Sequence, residues 1–238
     1  RIVAAQILQD ERFELVPYSL TGPEIQEPAY SLESVTMKLI QPDKQKSRIE
    51  AVIKAHQGFL SVDYTHPSAV NSNAEFYCGC GLPFVMGTTG GDRKKLEETV
   101  VSSSIAAVVA PNMAKQIVGF QAMMAYAADT FPGLFKGYLL EIRESHQKGK
   151  ADTSGTAKAM VGYFNELGVS FSEDQILKMR DPEVQKTQWG LPEQYLAGHG
   201  WHTYTLVSEA QTVRFKFTQN VNGRMGYTLG TLDALLFV

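Results

Sequence analysis

FLSVDYTHPSAVNSNAEFYCGCGLPFVMGTTGG, residues 59–91, decides the fold class because it places one helical stretch between two short apolar runs. The alternation continues beyond this stretch, so predicted strands cover residues 59–64, 84–86 and 105–110, and predicted helices cover residues 68–78 and 92–103. Strands that alternate with helices indicate a parallel sheet with helices on its faces. The sequence therefore predicts an α/β protein.

Short polar loops follow all three of these predicted strands. The loops contain Asp63, Tyr64 and Thr65, then Gly87, Thr88 and Thr89, and finally Ala110, Pro111, Asn112 and Met113. Open α/β sheets bind ligands outside the carboxyl ends of their strands, so the three loops can line one crevice. Each loop alone is weak support, because Gly, Thr and Asn also build ordinary turns.

The flanking regions extend the pattern and then change it. Toward the N-terminus we predict a helix at residues 1–9, a strand at 13–18, short strands near 34–39 and a helix at 43–56. Toward the C-terminus we predict a helix at 115–129, a strand at 138–143, a helix from residue 156, strands at 202–207 and 212–219, and a helix within 222–238. The predicted domains are residues 1–113 with 222–238, and an α+β domain of residues 114–221.

The loop ESHQKGKADTSGTA, residues 144–157, joins the predicted strand at 138–143 to the following helix. It brings the imidazole of His146 and the ammonium of Lys150 close to Ser154, Gly155 and Thr156, where the helix begins. Free backbone N–H groups at a helix start attract an anion such as a carboxylate. The loop therefore predicts an anion-binding site with a proton-handling residue beside it.

Composition narrows the class of ligand. A net charge of -3 argues against a general nucleic-acid binder or a polybasic membrane binder, and no apolar run approaches the roughly 18 residues of a membrane span. Cys78 and Cys80 are separated by one residue, a spacing that favours ordinary reduced thiols over a redox or zinc motif. His66, His199 and His202 are scattered along the sequence. We therefore interpret them as structural residues, predict no metal site, and expect a small-molecule ligand.

Three motifs together resemble one known family: VDYT at residues 62–65, GTTG at 87–90, and the loop at 144–157. They are similar to 4-hydroxy-tetrahydrodipicolinate (dihydrodipicolinate) reductases, most of all to the plant branch. The resemblance implies NAD(P)H-dependent reduction of a small dicarboxylate in the diaminopimelate route to lysine. It also implies a Rossmann-like dinucleotide-binding domain and an α+β domain for substrate binding and oligomerisation. A homodimer or homotetramer is expected, in the chloroplast stroma of a plant or alga and otherwise in the cytoplasm.

The resemblance also assigns residues. His146 matches the family's proton donor or acceptor, and Lys150 matches the lysine that assists protonation and holds a substrate carboxylate. Substrate contacts fall on Gln147, Ser154, Gly155 and Thr156, and cofactor contacts fall on the loops at 63–65, 87–89 and 110–113. Gln147 stands where bacterial members commonly carry a second histidine, so it can donate a hydrogen bond but cannot titrate.

Two features near the N-terminus concern the binding of the cofactor. The Gly-rich turn of a dinucleotide fold is absent and the sequence opens on a helix, so we expect a preceding strand and Gly-rich loop in the native protein. Strict NAD enzymes place an acid after the second strand, whereas Ser19, Leu20 and Thr21 follow Tyr18 here. We therefore expect NADPH to be used at least as well as NADH.

Two other functions remain open from the residues alone. One is a different nicotinamide-dependent oxidoreductase of similar two-domain build, acting on another carboxylated substrate. The other is a non-catalytic binding or regulatory relative, which the absent Gly-rich turn allows. Intact His146, Lys150 and Thr156 count against the non-catalytic alternative.

Overall fold

The chain folds into two compact units, of which the first contains residues 1–111 and 230–238 and the second contains residues 112–229. The computed structural model describes all residues from 1 to 238. Residues 112–113 and 222–229 thus lie in the second unit, whereas the sequence placed them in the first domain. None of the helices has the length and apolar character that a membrane span requires.

The first unit is built on two three-stranded sheets with helices packed against them. Its elements are α1 (Ile2–Leu8), β1 (Tyr18–Leu20), β2 (Ala29–Leu32), β3 (Val35–Ile40), α2 (Gln45–Ala55), β4 (Ser61–Asp63), α3 (Val70–Gly79), β5 (Phe84–Met86), α4 (Arg93–Val101) and β6 (Ala107–Val109). Strands β4, β5 and β6 pair in parallel, which confirms the predicted parallel sheet. Phe84 and Met86 on the central strand are fully buried in the core of this unit.

The predicted strand at residues 13–18 is wrong, because β1 begins only at Tyr18. Proline has no N–H to donate to a sheet, so Pro17 contributes only its carbonyl, which accepts a 2.9 Å bond from the backbone N–H of Lys38. Strand β1 runs parallel to β3, and β2 runs antiparallel to β3. No strand of the chain pairs with both β1 and β4.

The second unit contains a four-stranded mixed sheet in the order β10-β9-β7-β8. Its elements are α5 (Lys115–Thr130), β7 (Tyr138–His146), α6 (Gly155–Glu166), β8 (Leu177–Met179), α7 (Pro182–Thr187), β9 (His199–Ser208), β10 (Arg214–Asn222) and α8 (Gly226–Phe237), of which the last belongs to the first unit from Gly230 onward. The core contains Phe164 and Met160 from α6, Ile142 from β7 and Tyr204 from β9, all fully buried.

Strand β7 is three residues longer than predicted, so His146 ends a strand instead of lying in a loop. The strand continues because both of its edges are paired: His146 is opposite Gly200 on β9, and Ser145 is opposite Met179 on β8. Side chains alternate between the two faces of a strand. Ile142, Glu144 and His146 therefore lie on the same face of the sheet, the face that carries the core.

Candidate active site

Strand pairing places a carboxylate between two imidazoles at the end of β7. Glu144 is the cross-strand partner of His202, and the ring centroids of His146 and His202 are 5.1 Å apart. The Nε2 atoms of His146 and His202 lie 4.0 Å and 3.9 Å from the same Glu144 oxygen, Oε2. In the sequence, His202 is one of several histidines that are far apart and were interpreted as structural. The β7–β9 pairing instead places His202 beside Glu144 and His146.

Gly200 makes room for the ring of His146. The two residues face each other across the β7–β9 ladder, and a Cβ at position 200 would lie 3.1 Å from His146 Cε1. Few real Cβ contacts are that close, so a side chain at position 200 would push the imidazole away from Glu144. The position of the ring therefore depends on a residue that the sequence analysis did not assign.

A backbone contact fixes the tautomer of His146. Its Nδ1 is 3.0 Å from the carbonyl oxygen of His199, and since a carbonyl only accepts, Nδ1 carries the proton. In the neutral ring the lone pair is then on Nε2. Burial lowers the pKa of His146 to about 4, against the opposing effect of the Glu144 carboxylate. At neutral pH His146 is thus an uncharged ring that can accept a proton at Nε2.

The other two histidines of this unit differ in their hydrogen bonds. His199 is satisfied at both nitrogens: Nδ1 donates to the carbonyl of Tyr195 at 3.1 Å and Nε2 accepts from the Ser145 hydroxyl at 2.8 Å. His199 is therefore a brace between β9 and β7, as predicted for a structural histidine. Burial lowers the pKa of His202 to about 3, and its Nε2 has no hydrogen-bond partner.

Arg180 neutralises the buried Glu144 and holds the loop that follows β7. Its guanidinium pairs with Glu144 Oε1, while Oε2 accepts a 3.0 Å bond from the backbone N–H of Ser154. Arg180 also donates to the carbonyl of Lys150 at 2.9 Å and to that of Asp152 at 3.3 Å. The sequence analysis missed both members of this pair.

Lys150 lies on that loop and is paired with Asp152. Its Nζ is 2.6 Å from Asp152 Oδ1, and this hydrogen bond is the main cause that lowers the pKa of Asp152. Asp152 is 78% exposed at its side chain, whereas Lys150 is only 21% exposed. An incoming carboxylate can therefore replace Asp152 as the partner of Lys150, because the released Asp152 is exposed to water and is not left as a buried, unpaired acid.

A small cavity of about 50 Å³ adjoins the start of α6. Its lining includes the predicted site residues His146, Ser154 and Thr156 together with His202 and Asn112. Asn112 Nδ2 donates to the Thr156 hydroxyl at 3.3 Å, and both residues lie in the second unit. Met113 is also in the second unit and is buried. Cofactor contacts of Asn112 and Met113 stay predictions.

Gln147 continues directly from His146 into a tight turn. Its side chain is partly buried, and its carbonyl accepts a 3.0 Å bond from the backbone N–H of Lys150. The buried Gln185 donates a 2.8 Å bond from its amide to the carbonyl of His146. Helix α7, which the sequence analysis did not predict, thus helps to fix the end of β7.

Asp63 is an internal anchor of the first unit. It is 1% exposed and accepts hydrogen bonds from five groups: the backbone N–H and hydroxyl of Thr65, and the side chains of Asn73, Tyr77 and Thr88, at 2.8–3.0 Å. These five donors occupy the carboxylate of Asp63, and the predicted contact of this residue with a cofactor stays a prediction. Asp63 ties the loop after β4 to the loop after β5.

The remaining predicted cofactor residues lie on surface loops of the first unit. Thr65, Thr89 and Pro111 are exposed, Thr88 is buried, and Ala110 donates its backbone N–H to Met86 at 3.1 Å. The ring of Tyr64 lies so close to Gly87 that a Cβ there would overlap it, and the Tyr64 hydroxyl is 2.6 Å from that of Thr231. A side chain at position 87 would therefore displace the ring of Tyr64 from its present position.

A first unit with a parallel and a small mixed sheet, followed by a second unit with a four-stranded mixed sheet, defines the class of two-domain α/β proteins. The family model described as dihydrodipicolinate reductase, N-terminus, matches residues 1–113, and its C-terminus model matches residues 117–238. The chain belongs to the dihydrodipicolinate reductase family. The resemblance and the two-domain α/β fold inferred from the sequence are confirmed.

Plant proteins are among the most similar relatives. A probable 4-hydroxy-tetrahydrodipicolinate reductase 1, chloroplastic, of Oryza sativa subsp. japonica is 46% identical over 94% of this chain and 66% of its own length. A 4-hydroxy-tetrahydrodipicolinate reductase 1, chloroplastic, of Arabidopsis thaliana is 51% identical over 83% of this chain and 57% of its own length. The chain thus spans about three fifths of the length of these relatives.

A solved structure shares the fold. Dipicolinate-bound dihydrodipicolinate reductase from Paenisporosarcina sp. TG-14 has a TM-score of 0.65, with 99% of this chain and 88% of that chain covered. Sequence identity is 18%, so this likeness concerns the fold alone.

Proposed function

We propose that the chain catalyses the NAD(P)H-dependent reduction of 4-hydroxy-tetrahydrodipicolinate to tetrahydrodipicolinate in the diaminopimelate route to lysine, in a plastid. The observation that carries the proposal is the neutral, buried His146, with a free Nε2 next to the Lys150 loop and the start of α6. Similarity to chloroplastic reductases supports the reaction and the compartment.

The substrate is a dicarboxylate, and the second unit offers groups for both of its charges. Lys150 exchanges Asp152 for one substrate carboxylate. The backbone N–H groups of Gly155 and Thr156, at the start of the 12-residue helix α6, bind the other. Ser154 and Gln147 flank these groups and add hydrogen bonds. Since the backbone N–H of Ser154 is already taken by Glu144, its contribution comes from the hydroxyl.

The tautomer of His146 separates the roles of the two proton-handling residues. Nε2 of a neutral ring whose Nδ1–H donates to a carbonyl can accept a proton but has none to give. Lys150 is therefore the group that delivers the proton to the substrate carbon, and His146 accepts and relays protons at Nε2. Glu144, 4.0 Å away, stabilises the imidazolium when it forms.

The first unit supplies the nicotinamide site in this proposal. A nicotinamide cofactor provides the hydride when bound. The loops at 64–65, 87–89 and 110–111 follow three neighbouring parallel strands, and Asp63 holds the first two together, so they fit the nicotinamide half of the cofactor. No residue of the chain is assigned to the pyrophosphate. Residues 18–23, from β1 onward, carry no acid to repel a 2′-phosphate, which favours NADPH.

The outer face of the four-stranded sheet supports assembly into at least a dimer. Leu139 on β7 and Leu177 on β8 are 69% and 52% exposed, and both share a face with Arg143. A second copy that pairs with this face would cover both leucines.

The test is an assay of NADPH oxidation with the product of dihydrodipicolinate synthase as the substrate. Oxidation that depends on this substrate supports the proposal. Turnover with another carboxylated substrate alone would indicate a different oxidoreductase, and no turnover in protein that binds NADPH would indicate a non-catalytic relative.

A further inference from the structure

We propose that Glu144, His146 and His202 form a reversible binding site for a divalent transition-metal ion, best matched by Zn²⁺. Each residue offers one ligand atom, and the three atoms lie within 4.8 Å of one another. The sequence analysis predicted no metal site, because His146 and His202 are 56 residues apart in sequence and meet only through the β7–β9 pairing.

Two of the three ligand atoms are buried and lack any hydrogen-bond partner. These are the Nε2 atoms of His146 and His202, whose side chains are 12% and 6% exposed. Because His146 donates Nδ1–H to a carbonyl, its Nε2 lone pair faces Glu144 Oε2, which is also an acceptor. Acceptors that converge without a proton between them are stabilised by a cation.

The ligand set selects the kind of cation. Two imidazoles and one carboxylate suit Zn²⁺ and its neighbours in the first transition row, whereas Mg²⁺ and Ca²⁺ prefer all-oxygen sites. Tetrahedral Zn²⁺ with bonds of about 2.05 Å needs ligand atoms about 3.3 Å apart. The Nε2–Oε2 separations of 3.9 Å and 4.0 Å must therefore shorten by about 0.6 Å on binding, and all three ligand atoms, now within 4.8 Å of one another, must converge.

The fourth ligand can be water from the adjoining cavity of about 50 Å³, which His146 and His202 both line. Arg180 works against the metal, because its guanidinium pairs with the other oxygen of Glu144 and repels a second cation. Binding is therefore weaker than in a closed structural zinc site and is reversed by chelators. An ion that binds weakly and is removed by chelators acts as an inhibitor and not as a permanently bound cofactor.

Inhibition is the functional consequence, and it rests on the proposed function. A metal on His146 Nε2 occupies the lone pair that accepts protons and fills the space beside Thr156. Added Zn²⁺ should abolish NADPH oxidation, and a chelator should restore it.

The experiment measures binding and activity separately. Zn²⁺ is titrated against a chromophoric chelator in protein with Cys78→Ser and Cys80→Ser, which removes the two free thiols as competing ligands. We expect one Zn²⁺ per chain, and a tetrahedral visible spectrum when Co²⁺ replaces it. His202→Asn and His146→Asn should each weaken Zn²⁺ binding by at least ~10-fold. His56→Asn, in the first unit, is the matched control and should leave affinity unchanged.

The outcomes separate the two proposals. Unchanged affinity in both His202→Asn and His146→Asn overturns the metal site, as does loss of binding in the His56→Asn control. If His202→Asn does not fold, His146→Asn decides alone, because the His146 side chain is the less buried of the two, 12% against 6% exposed. Zn²⁺ binding that depends on these histidines, in a chain with no metal-free reductase activity, supports the site and refutes the proposed function.

Discussion

Replacing Arg180 with methionine removes the charge that neutralises the buried Glu144 while keeping an unbranched apolar stem. Glu144 is 0% exposed, so the variant leaves a buried carboxylate with the N–H of Ser154 as its remaining hydrogen-bond donor. Breaking a buried ion pair in this way costs about 3–5 kcal/mol. For a chain of this size that is a fall in Tm of at least ~6 °C. Thermal and urea unfolding of the Arg180→Met variant measure both quantities.

A matched control and a rescue make the reasoning refutable. Lys158 and Glu173 form an exposed pair in the same unit, 47% and 52% exposed, so Lys158→Met should cost less than about 1 kcal/mol. Glu144→Gln in the Arg180→Met background should recover part of the loss, because a neutral amide no longer needs a counter-ion. If Arg180→Met costs no more than Lys158→Met, or if Glu144→Gln adds to the loss, Arg180 does not neutralise a buried charge.

Four further predictions concern catalysis, pH, cofactor and assembly. Steady-state kinetics should show that His146→Ala lowers kcat by roughly 10²- to 10⁴-fold with little change in KM. Lys150→Ala should raise KM and lower kcat. Near-normal turnover in both variants would show that this loop has no part in catalysis. Burial lowers the pKa values of His146 and His202 to about 4 and about 3, so between those values and about 6.5 the unfolded state binds more protons than the folded state. The free energy of unfolding of metal-free protein should therefore fall as the pH drops through that range. A free energy of unfolding, measured with urea, that stays constant from pH 7 to pH 5 contradicts this. NADPH should give a kcat/KM at least equal to that of NADH, and a large NADH preference counts against the reading of residues 18–23. Light scattering at micromolar concentration should give at least a dimer, and a monomeric mass would exclude it.

Local patterns predicted β3, β4, β5 and β6 because each is a short apolar run between turn residues, whereas β2, at Ala29–Leu32, was not predicted. Residues 84–86 are all buried, and a run of that kind needs no tertiary information to recognise. The prediction of a strand at 13–18 failed because Pro17 has no N–H to donate to the sheet, and the apolar Phe13, Leu15 and Val16 before it are not paired with a neighbouring strand. Pairing partners, which the sequence does not reveal, decide where such a strand begins.

The candidate site was only half visible in the sequence. His146 and Lys150 were found because they share one loop, whereas Arg180 is 36 residues from Glu144 and follows a strand of only three residues. The sequence did contain a pattern that could have identified His202. His202, Tyr204 and Leu206 are every second residue of β9 and lie on its buried face. A buried histidine in such a series needs a polar partner on a neighbouring strand. The anchoring role of Asp63 was not visible, because its five donors come from four residues that lie up to 25 positions away in sequence.

The pairing of Glu144 with His202 makes the site sensitive to insertions and deletions in a way that sequence distance does not suggest. One residue added within β7 between Leu139 and Glu144 would slip the register by one, and every side chain beyond it would exchange faces. The carboxylate and the imidazole of His146 would then point to the outer surface together. Insertions at Gln211, in the turn between β9 and β10, leave the β7–β9 ladder in place. Length changes in this family should therefore accumulate in that turn and be absent from the two strands that carry the histidines.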